Sequence, residues 1–379
     1  MARTISALTL LAISILACTS AASQGSDRLS SEFRGGPTRN GQMHATAVTT
    51  PRLSWTFDAG AAIKTSAAIT ADHVLVTTTD GELIGLNPQT GSVQWRTATS
   101  EGALSSPTID NDLVVFGSRT GVVHAVSLAD GSPRWTGDVG SPVLGAPAGV
   151  DTGVLVIGED GGFSVFNPET GDSRLQTRVD GQIRRSAAIK GTVAFVPTEP
   201  GRLAAVDVLT GQVRWSTDLA PTGGVGTPAV SDRLVYAASG LDAANEGDRA
   251  VVALSVDTGE VEWRYASPSG ARVYTPAVSD DRVFVVGEDS QVTALDASNG
   301  QKQWSVVADG PVEALPILAG GVLVVATNGG SLAAYDTVEG RRLWSAPIEG
   351  VPYSPTALGE LIVVATDLGV VYGFVNGPE

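Results

Sequence analysis

The sequence is poor in the residues on which most catalytic and metal centres depend. It has one cysteine and three histidines among 379 residues, which excludes intramolecular disulfides and a CxxCH haem attachment. Only 17% of the residues are charged, and the net charge is −16. An acidic surface argues against nucleic acid or anionic lipid as an electrostatic partner. Beyond the N-terminus, no apolar run reaches the about 20 residues that a transmembrane helix needs.

Glycine, by contrast, is abundant at 45 residues, and hydrophobic residues make up 42% of the chain. Such a composition supplies a large core and excludes wholesale disorder. Many glycines and few charges are typical of short strands joined by tight turns. The composition therefore predicts an all-β protein.

The N-terminus has the pattern of an export signal. In residues 1–17, Arg3 supplies a positive end, an apolar stretch spans 5–16, and Ala17 precedes Cys18. The residues around Cys18 resemble the lipobox of bacterial lipoproteins, which implies cleavage before this cysteine and its acylation. An ordinary secreted form is the alternative. Residues 18–50 are rich in Ser, Thr and Gly and predict a flexible tether.

A repeat of about 40 residues runs through the rest of the chain. All seven tryptophans fall in one register, with spacings of 40, 40, 80, 48, 41 and 40 residues, and Leu175 fills the slot within the gap of 80. These tryptophans are Trp55, Trp95, Trp135, Trp215, Trp263, Trp304 and Trp344. A second marker runs in parallel through Pro107, Pro147, Pro228, Pro276, Pro316 and Pro355, with Ala67 and Ala187 in its two empty slots. Four-stranded units at this period are typical of propeller blades.

Counting the units predicts how the ring closes. Seven complete units run from Ala67 to Trp344, and an eighth begins at Pro355 without room for its tryptophan. Trp55 lies before the first unit as an isolated fourth strand. We therefore expect the strand around Trp55 to complete the last blade beside residues 370–374. Residues 51–379 then form a single eight-bladed β-propeller of four-stranded antiparallel blades, expected to be monomeric.

The repeat resembles a known family. Residues 205–215 and 294–304 are similar to the pyrroloquinoline-quinone (PQQ)-type repeat, and residues 33–41 resemble the opening segment of envelope lipoproteins that carry it. The lipobox, the chain length and the blade count resemble the BamB-like family of outer-membrane-protein assembly lipoproteins. This resemblance implies a non-catalytic scaffold on a bacterial membrane, with the barrel-assembly machinery as partner. The alternatives are a PQQ- and calcium-dependent quinoprotein oxidoreductase, or a ligand sensor or adhesin at the cell surface.

The residues disfavour the quinoprotein alternative. Calcium requires six to eight oxygen ligands, several from carboxylates, whereas the channel-lining first strands carry Ser, Thr, Ala and Pro. The adjacent cysteine pair typical of such enzymes is missing as well. No spacing among His44, His73 and His124 suggests a metal site. The sequence therefore predicts no catalytic, cofactor or metal residue.

The candidate partner site lies at the blade junctions. The residues just before each first strand are mostly small or apolar, so Arg184, Arg185, Tyr274 and Tyr353 stand out. Arg and Tyr are enriched in interface hot spots, although a solvated rim is the alternative. In the BamB-like family the loop between the third and fourth blades binds the partner through an arginine, which the resemblance places at Arg184 and Arg185. A seven-residue insertion near residues 240–248 is a second contact candidate; a solvated acidic hairpin is favoured there over a calcium site.

Overall fold

Eight blades surround a central channel. The computed structural model describes residues 30–31, 33–99, 101–103, 105–243 and 246–377. Within these ranges seven sheets contain four antiparallel strands in chain order, and two of these gain one further short strand from the N-terminal part of the chain. The eighth sheet takes its outermost strand from that part of the chain as well. The predicted all-β class and the predicted blade count are confirmed. The predicted signal peptide and the predicted lipidation site at Cys18 lie outside the described residues.

The strands follow the repeat. Before the first blade come β1 (Ser30–Ser31), β2 (Gln42–Met43) and β3 (Pro51–Asp58). Blades one and two contain β4 (Ala68–Thr70), β5 (Val74–Thr77), β6 (Glu82–Leu86), β7 (Val93–Ala98), β8 (Thr108–Asp110), β9 (Leu113–Gly117), β10 (Val122–Ser127) and β11 (Pro133–Asp138). Blades three and four contain β12 (Ala148–Val150), β13 (Gly153–Ile157), β14 (Gly162–Phe166), β15 (Ser173–Arg178), β16 (Ala188–Lys190), β17 (Val193–Thr198), β18 (Arg202–Asp207) and β19 (Val213–Asp218).

The second half repeats this order. Blades five and six contain β20 (Ala229–Val230), β21 (Leu234–Ser239), β22 (Ala250–Ser255), β23 (Val261–Ala266), β24 (Ala277–Val278), β25 (Arg282–Val286), β26 (Gln291–Asp296) and β27 (Lys302–Val307). Blade seven contains β28 (Ile317–Ala319), β29 (Val322–Thr327), β30 (Ser331–Asp336) and β31 (Arg342–Pro347), and blade eight contains β32 (Thr356–Leu358), β33 (Leu361–Ala365) and β34 (Val370–Asn376). Short 3-10 turns span Phe33–Gly35 and Glu246–Asp248. No helix in the described ranges is long and apolar enough to cross a membrane.

Strand direction gives the ring two distinct faces. The first strand of each blade starts at one face, which also carries the turns between second and third strands and the loops between blades. We call this the upper face. The lower face carries the hairpins between first and second strands and between third and fourth strands. Because successive strands alternate direction, every loop of one kind lies on the same face.

The ring closes as expected. β3 pairs with β34 in antiparallel register, with Trp55 opposite Gly373 and Phe57 opposite Val371. On the channel side, β32 of blade eight contacts β4 of blade one. The last blade is therefore built from both ends of the propeller, which leaves its third strand paired on both sides.

The repeated tryptophans lock neighbouring blades together. The indole of Trp263 in blade five donates to the carbonyl of Ala297 in blade six at 3.0 Å. It also covers Gly300 in the same hairpin, where φ is +71° and an added Cβ would lie 2.6 Å from the ring. Trp344 of blade seven instead donates to the carbonyl of Val48 at 2.5 Å, because the corresponding hairpin of blade eight is interrupted by the chain ends. Trp263 thus packs between adjacent sheets.

Residues 33–50 differ from the expected tether. We call them the N-terminal segment. Its residues 33–43 lie inside the channel against the first strands, and residues 44–50 pass the first hairpins of blades seven and eight on the way to β3. The amides of Ile189, Val230, Val278 and Leu318 donate to its carbonyls at 2.7–2.9 Å, and β2 pairs in parallel with β28. Main-chain hydrogen bonds need no apolar periodicity, which is why the composition of this stretch resembles that of a linker.

Two buried arginines fix the N-terminal segment in place. Arg34 and Arg39 are 1% and 0% exposed. Arg34 donates to the carbonyls of Pro276 and Pro316, and Arg39 donates to that of Pro147 at 2.5 Å. All three acceptors are marker prolines at the start of a first strand, so the two side chains join blades three, six and seven across the channel.

Candidate functional site

The upper mouth of the channel is a cavity of about 350 Å³ that collects the residues preceding the first strands. All four predicted partner residues line it: Arg184, Arg185, Tyr274 and Tyr353. The N-terminal segment contributes Phe33 to the same cavity. The repeat explains this convergence, because residues at the same position in each repeat unit form a ring around the channel axis. The role of these side chains in binding remains a prediction.

The two arginines differ in whether a carboxylate of the chain pairs with them. Nε of Arg184 lies 3.0 Å from Oε1 of Glu159 and 3.7 Å from Oε2 of Glu199, and its side chain is about half exposed. Arg185 is also exposed, and it donates to the carbonyl of Arg184 at 3.3 Å. Among the described residues no carboxylate pairs with Arg185. Arg185 is therefore the cation most available to a carboxylate from outside the chain.

The two tyrosines are half-buried and precede the first strands of blades six and eight, whereas the arginines precede that of blade four. The hydroxyl of Tyr274 donates to Oε1 of Glu288 at 3.1 Å, and the same oxygen accepts from Arg272 at 3.2 Å. Burial and the nearby Glu288 raise the pKa of Tyr274 well above its ordinary value. Burial likewise raises the pKa of Tyr353. Both phenols are therefore neutral at physiological pH, and each presents a ring edge with a polar tip.

The insertion in blade five reaches the same mouth. Leu241 lines the cavity and donates its amide to the carbonyl of Gly224 at 3.1 Å. Arg249 holds the base of the loop by donating to the carbonyl of Ala243 at 3.1 Å. The insertion therefore lies on the same face as the two arginines. In the described ranges, no three His, Cys, Asp or Glu side chains are grouped so that they could hold a metal ion.

The histidines lie apart from the mouth and from one another. His44 belongs to the N-terminal segment and accepts a main-chain bond from Gly359 at 2.9 Å. His73 is buried at the start of β5. His124 lies 3.2 Å from Glu101, and burial lowers the pKa of its imidazole although Glu101 opposes that shift. Nothing in this arrangement resembles a metal site.

The channel does not fit the cofactor of the quinoproteins. The N-terminal segment occupies the space between the first strands, and its residues hydrogen-bond to six of the eight blades, numbers three to eight. The channel-facing hydroxyls are used between blades, as where Ser106 accepts from the amide of Ser66 at 3.0 Å. Two buried guanidinium groups, not carboxylates, supply the charge there. A PQQ and calcium site would require this segment to leave.

Some residues of the mouth escaped the sequence analysis. Glu159 and Glu288 hold Arg184 and Tyr274, yet each lies on a turn between second and third strands, 25 and 14 residues from its partner. Phe33 was assigned to the tether. The Gly-rich stretch that follows Phe33 was a usable signal, because Gly35 and Gly36 have φ of +80° and +106° and permit the sharp reversal inside the channel.

Fold and mouth together define a propeller of PQQ-like repeats whose channel is closed by its own N-terminal segment. Comparison with known proteins narrows this class. The family model described as outer membrane protein assembly factor BamB matches residues 39–118, 107–242 and 217–361. The chain therefore belongs to the BamB family.

Individual relatives agree with this assignment. The outer membrane protein assembly factor BamB of Yersinia pestis is 25% identical over 331 residues, which cover 82% of this chain and 71% of the relative. The crystal structure of BamB from Moraxella catarrhalis matches with a TM-score of 0.70 at 20% identity and covers 87% of this chain and 99% of that one. The quinohemoprotein alcohol dehydrogenase of Comamonas testosteroni has a TM-score of 0.74 at 12% identity, over 92% and 81% of the two chains. At these identities the structural matches show the shared fold alone.

Proposed function

We propose that this protein is a non-catalytic scaffold of the bacterial envelope that binds a protein partner at its upper mouth during outer-membrane protein assembly. Membership of the BamB family is the observation that carries the proposal. The proposal includes the anchor: acylated Cys18 holds the propeller on the periplasmic side of the outer membrane. The partner is a component of the barrel-assembly machinery.

The chemistry of the mouth supports binding rather than catalysis. Exposed Arg185 offers a cation that pairs with no carboxylate of the described residues, while half-buried Tyr274 and Tyr353 line the same cavity of about 350 Å³. A mouth that offers a cation at one blade junction and aromatic rings at two others suits an extended segment that carries an acidic side chain. Phe33 gives this cavity an apolar contact from the channel side.

Charge reversal at the two arginines tests the proposal. The double variant Arg184→Glu with Arg185→Glu is expected to lose at least thirtyfold in partner affinity, because loss of an interfacial arginine typically costs about 2 kcal/mol or more. Its melting temperature should stay close to that of the parent, since both side chains are exposed. Capture is measured by crosslinking and pull-down from native membranes.

A matched control separates the mouth from the general charge of the upper rim. Arg178 and Arg202 are exposed at the same rim but do not line the cavity. Arg178→Glu with Arg202→Glu makes the same change in net charge and should retain the partner. Equal capture by the parent and by the Arg184 and Arg185 double variant would show that the docking site lies elsewhere.

A further inference from the structure

The path of the chain through the channel has a direction. Ser30 pairs with Thr70, at the lower end of β4 beside the first hairpin of blade one. From there the chain rises to Phe33 at the upper cavity and then turns back. Thr38 and Asn40 line a second cavity, of about 580 Å³, at the lower mouth. The described chain therefore enters the ring from the lower face, not from the mouth that carries Arg184 and Arg185.

The length of chain before Ser30 limits how the ring can be held. Residues 19–29 separate Cys18 from Ser30, which makes 30 − 18 = 12 steps between Cα atoms. Twelve steps of at most ~3.3–3.6 Å span no more than about 43 Å. A compact unit of roughly 340 residues has a radius of gyration of about 20 Å, which corresponds to an outer radius of about 26 Å, and a six-residue strand is about 20 Å high. A path out to the rim and up to the upper face therefore measures at least about 46 Å. The path from the lower mouth around the rim to the upper face is therefore longer than the connection.

We infer that an anchor at Cys18 holds the propeller with its lower face toward the bilayer and its upper mouth away from it. The inference takes the anchor at Cys18 from the proposed function. The orientation of the ring follows from the direction of the chain in the channel. It assigns the upper mouth to partner segments that extend into the aqueous compartment. A segment lying in the headgroup layer would meet the lower face instead.

The charges of the lower face indicate that the ring does not adhere to the lipid there. Its hairpins carry exposed carboxylates such as Asp130, Asp232, Asp257 and Asp280. An acidic surface is repelled by anionic headgroups over about one Debye length. The lower face is therefore nearest to the bilayer because of the covalent connection, and we expect no salt-sensitive attraction to contribute.

Two pairs of labelling sites test the orientation. Glu169 lies in the lower hairpin before β15 and Asp180 follows the upper end of the same strand; Glu339 and Glu349 flank β31 in the same way. All four residues are exposed, and blades three and seven lie opposite each other in an eight-bladed ring. Each residue is changed singly to cysteine, for example Glu169→Cys, in the full-length lipoprotein, where acylation of Cys18 leaves the new thiol as the site for a donor dye.

The labelled proteins are reconstituted in phosphatidylethanolamine and phosphatidylglycerol vesicles that contain a headgroup-labelled acceptor lipid. Energy transfer is expected to be stronger from positions 169 and 339 than from 180 and 349 in both blades. Stronger transfer from the upper positions overturns the inference. Equal transfer at both ends of both strands also overturns it, because the ring would then lie on its side or tumble.

A separate measurement tests the anchor itself. The mass of the mature protein shows whether Cys18 is acylated, and Cys18→Ser shows whether vesicle binding depends on it. Vesicle binding that survives Cys18→Ser contradicts the proposed anchor, whatever the orientation. Lipid-dependent binding with the wrong order of energy transfer contradicts the orientation alone.

Discussion

Replacing Arg34 with methionine tests whether the N-terminal segment is an integral part of the ring. The guanidinium of Arg34 donates to the carbonyls of Arg39 at 2.8 Å, of Pro316 at 3.3 Å, and of Pro276. Methionine has a similar length and no donor. Residue 34 has a φ of 59°, and the cost of this left-handed conformation is common to both side chains and cancels in the comparison.

Two effects of opposite sign determine how much Arg34→Met changes the free energy of unfolding. Three buried carbonyls without a donor cost about 1–3 kcal/mol each. Against this, burial, with a smaller contribution from Arg39, lowers the pKa of Arg34 from 12.5 to about 9. That shift corresponds to about 5 kcal/mol of burial cost and repulsion from Arg39 together, which methionine does not incur. Removing one partner of a buried charged network typically costs about 3–5 kcal/mol, so we expect the unpaired carbonyls to dominate, with a net loss of about 3 kcal/mol.

Thermal unfolding provides the assay. A unit of roughly 340 residues unfolds with an entropy of about 0.7 kcal/mol/K, so Arg34→Met should lower the melting temperature by about 4 °C. Arg52→Met is the control, because Arg52 is exposed on β3, and it should shift the midpoint by less than about 1 °C. A melting temperature of Arg34→Met equal to or above that of the parent would refute the reasoning, since the segment would then add no stability through this side chain.

Three further predictions concern closure, anchoring and packing. Deletion of residues 51–58 removes the strand that completes blade eight and should cause unfolding or aggregation through the exposed edge of β34; a truncated chain that melts like the parent contradicts the closure. Cys18→Ser should release the protein from membranes without changing its circular dichroism, as fractionation will show. In denaturant titrations, Gly300→Ala should destabilise the protein by at least about 2 kcal/mol more than Gly60→Ala. Both glycines have a positive φ, but of the two only Gly300 lies against an indole, that of Trp263. Equal losses of stability would mean that the indole contact adds nothing.

The blades were predictable because their signals repeat. One tryptophan register and one proline register located every strand group, and the unpaired Trp55 indicated how the ring closes. The mouth was predictable for the same reason, since Arg184 and Tyr274 differ from the residues at the same offset in other units. Because the repeat units can be compared with one another, a residue that deviates from the pattern is visible without an alignment to related proteins.

The contacts that join different units could not be predicted in this way. Glu159 pairs with Arg184 across a blade junction, and no spacing in the chain marks that pairing. The N-terminal segment was missed for a different physical reason. Its main-chain carbonyls accept from first strands far along the chain, and Arg34 and Arg39 reach other main-chain carbonyls. Bonds between main-chain groups leave no trace in side-chain patterning.

The pairing of β3 with β34 also governs when the protein can fold. Trp55 and Gly373 face each other although nearly the whole propeller separates them in sequence. Closing a loop of roughly 320 residues costs about 5 kcal/mol of chain entropy, and this cost is met before the last blade gains its contacts. Such long-range pairing predicts slow formation of the native ring. A chain that stops before β34 has neither a complete last blade nor a partner for β3, so completion of synthesis sets the earliest moment at which a stable ring exists.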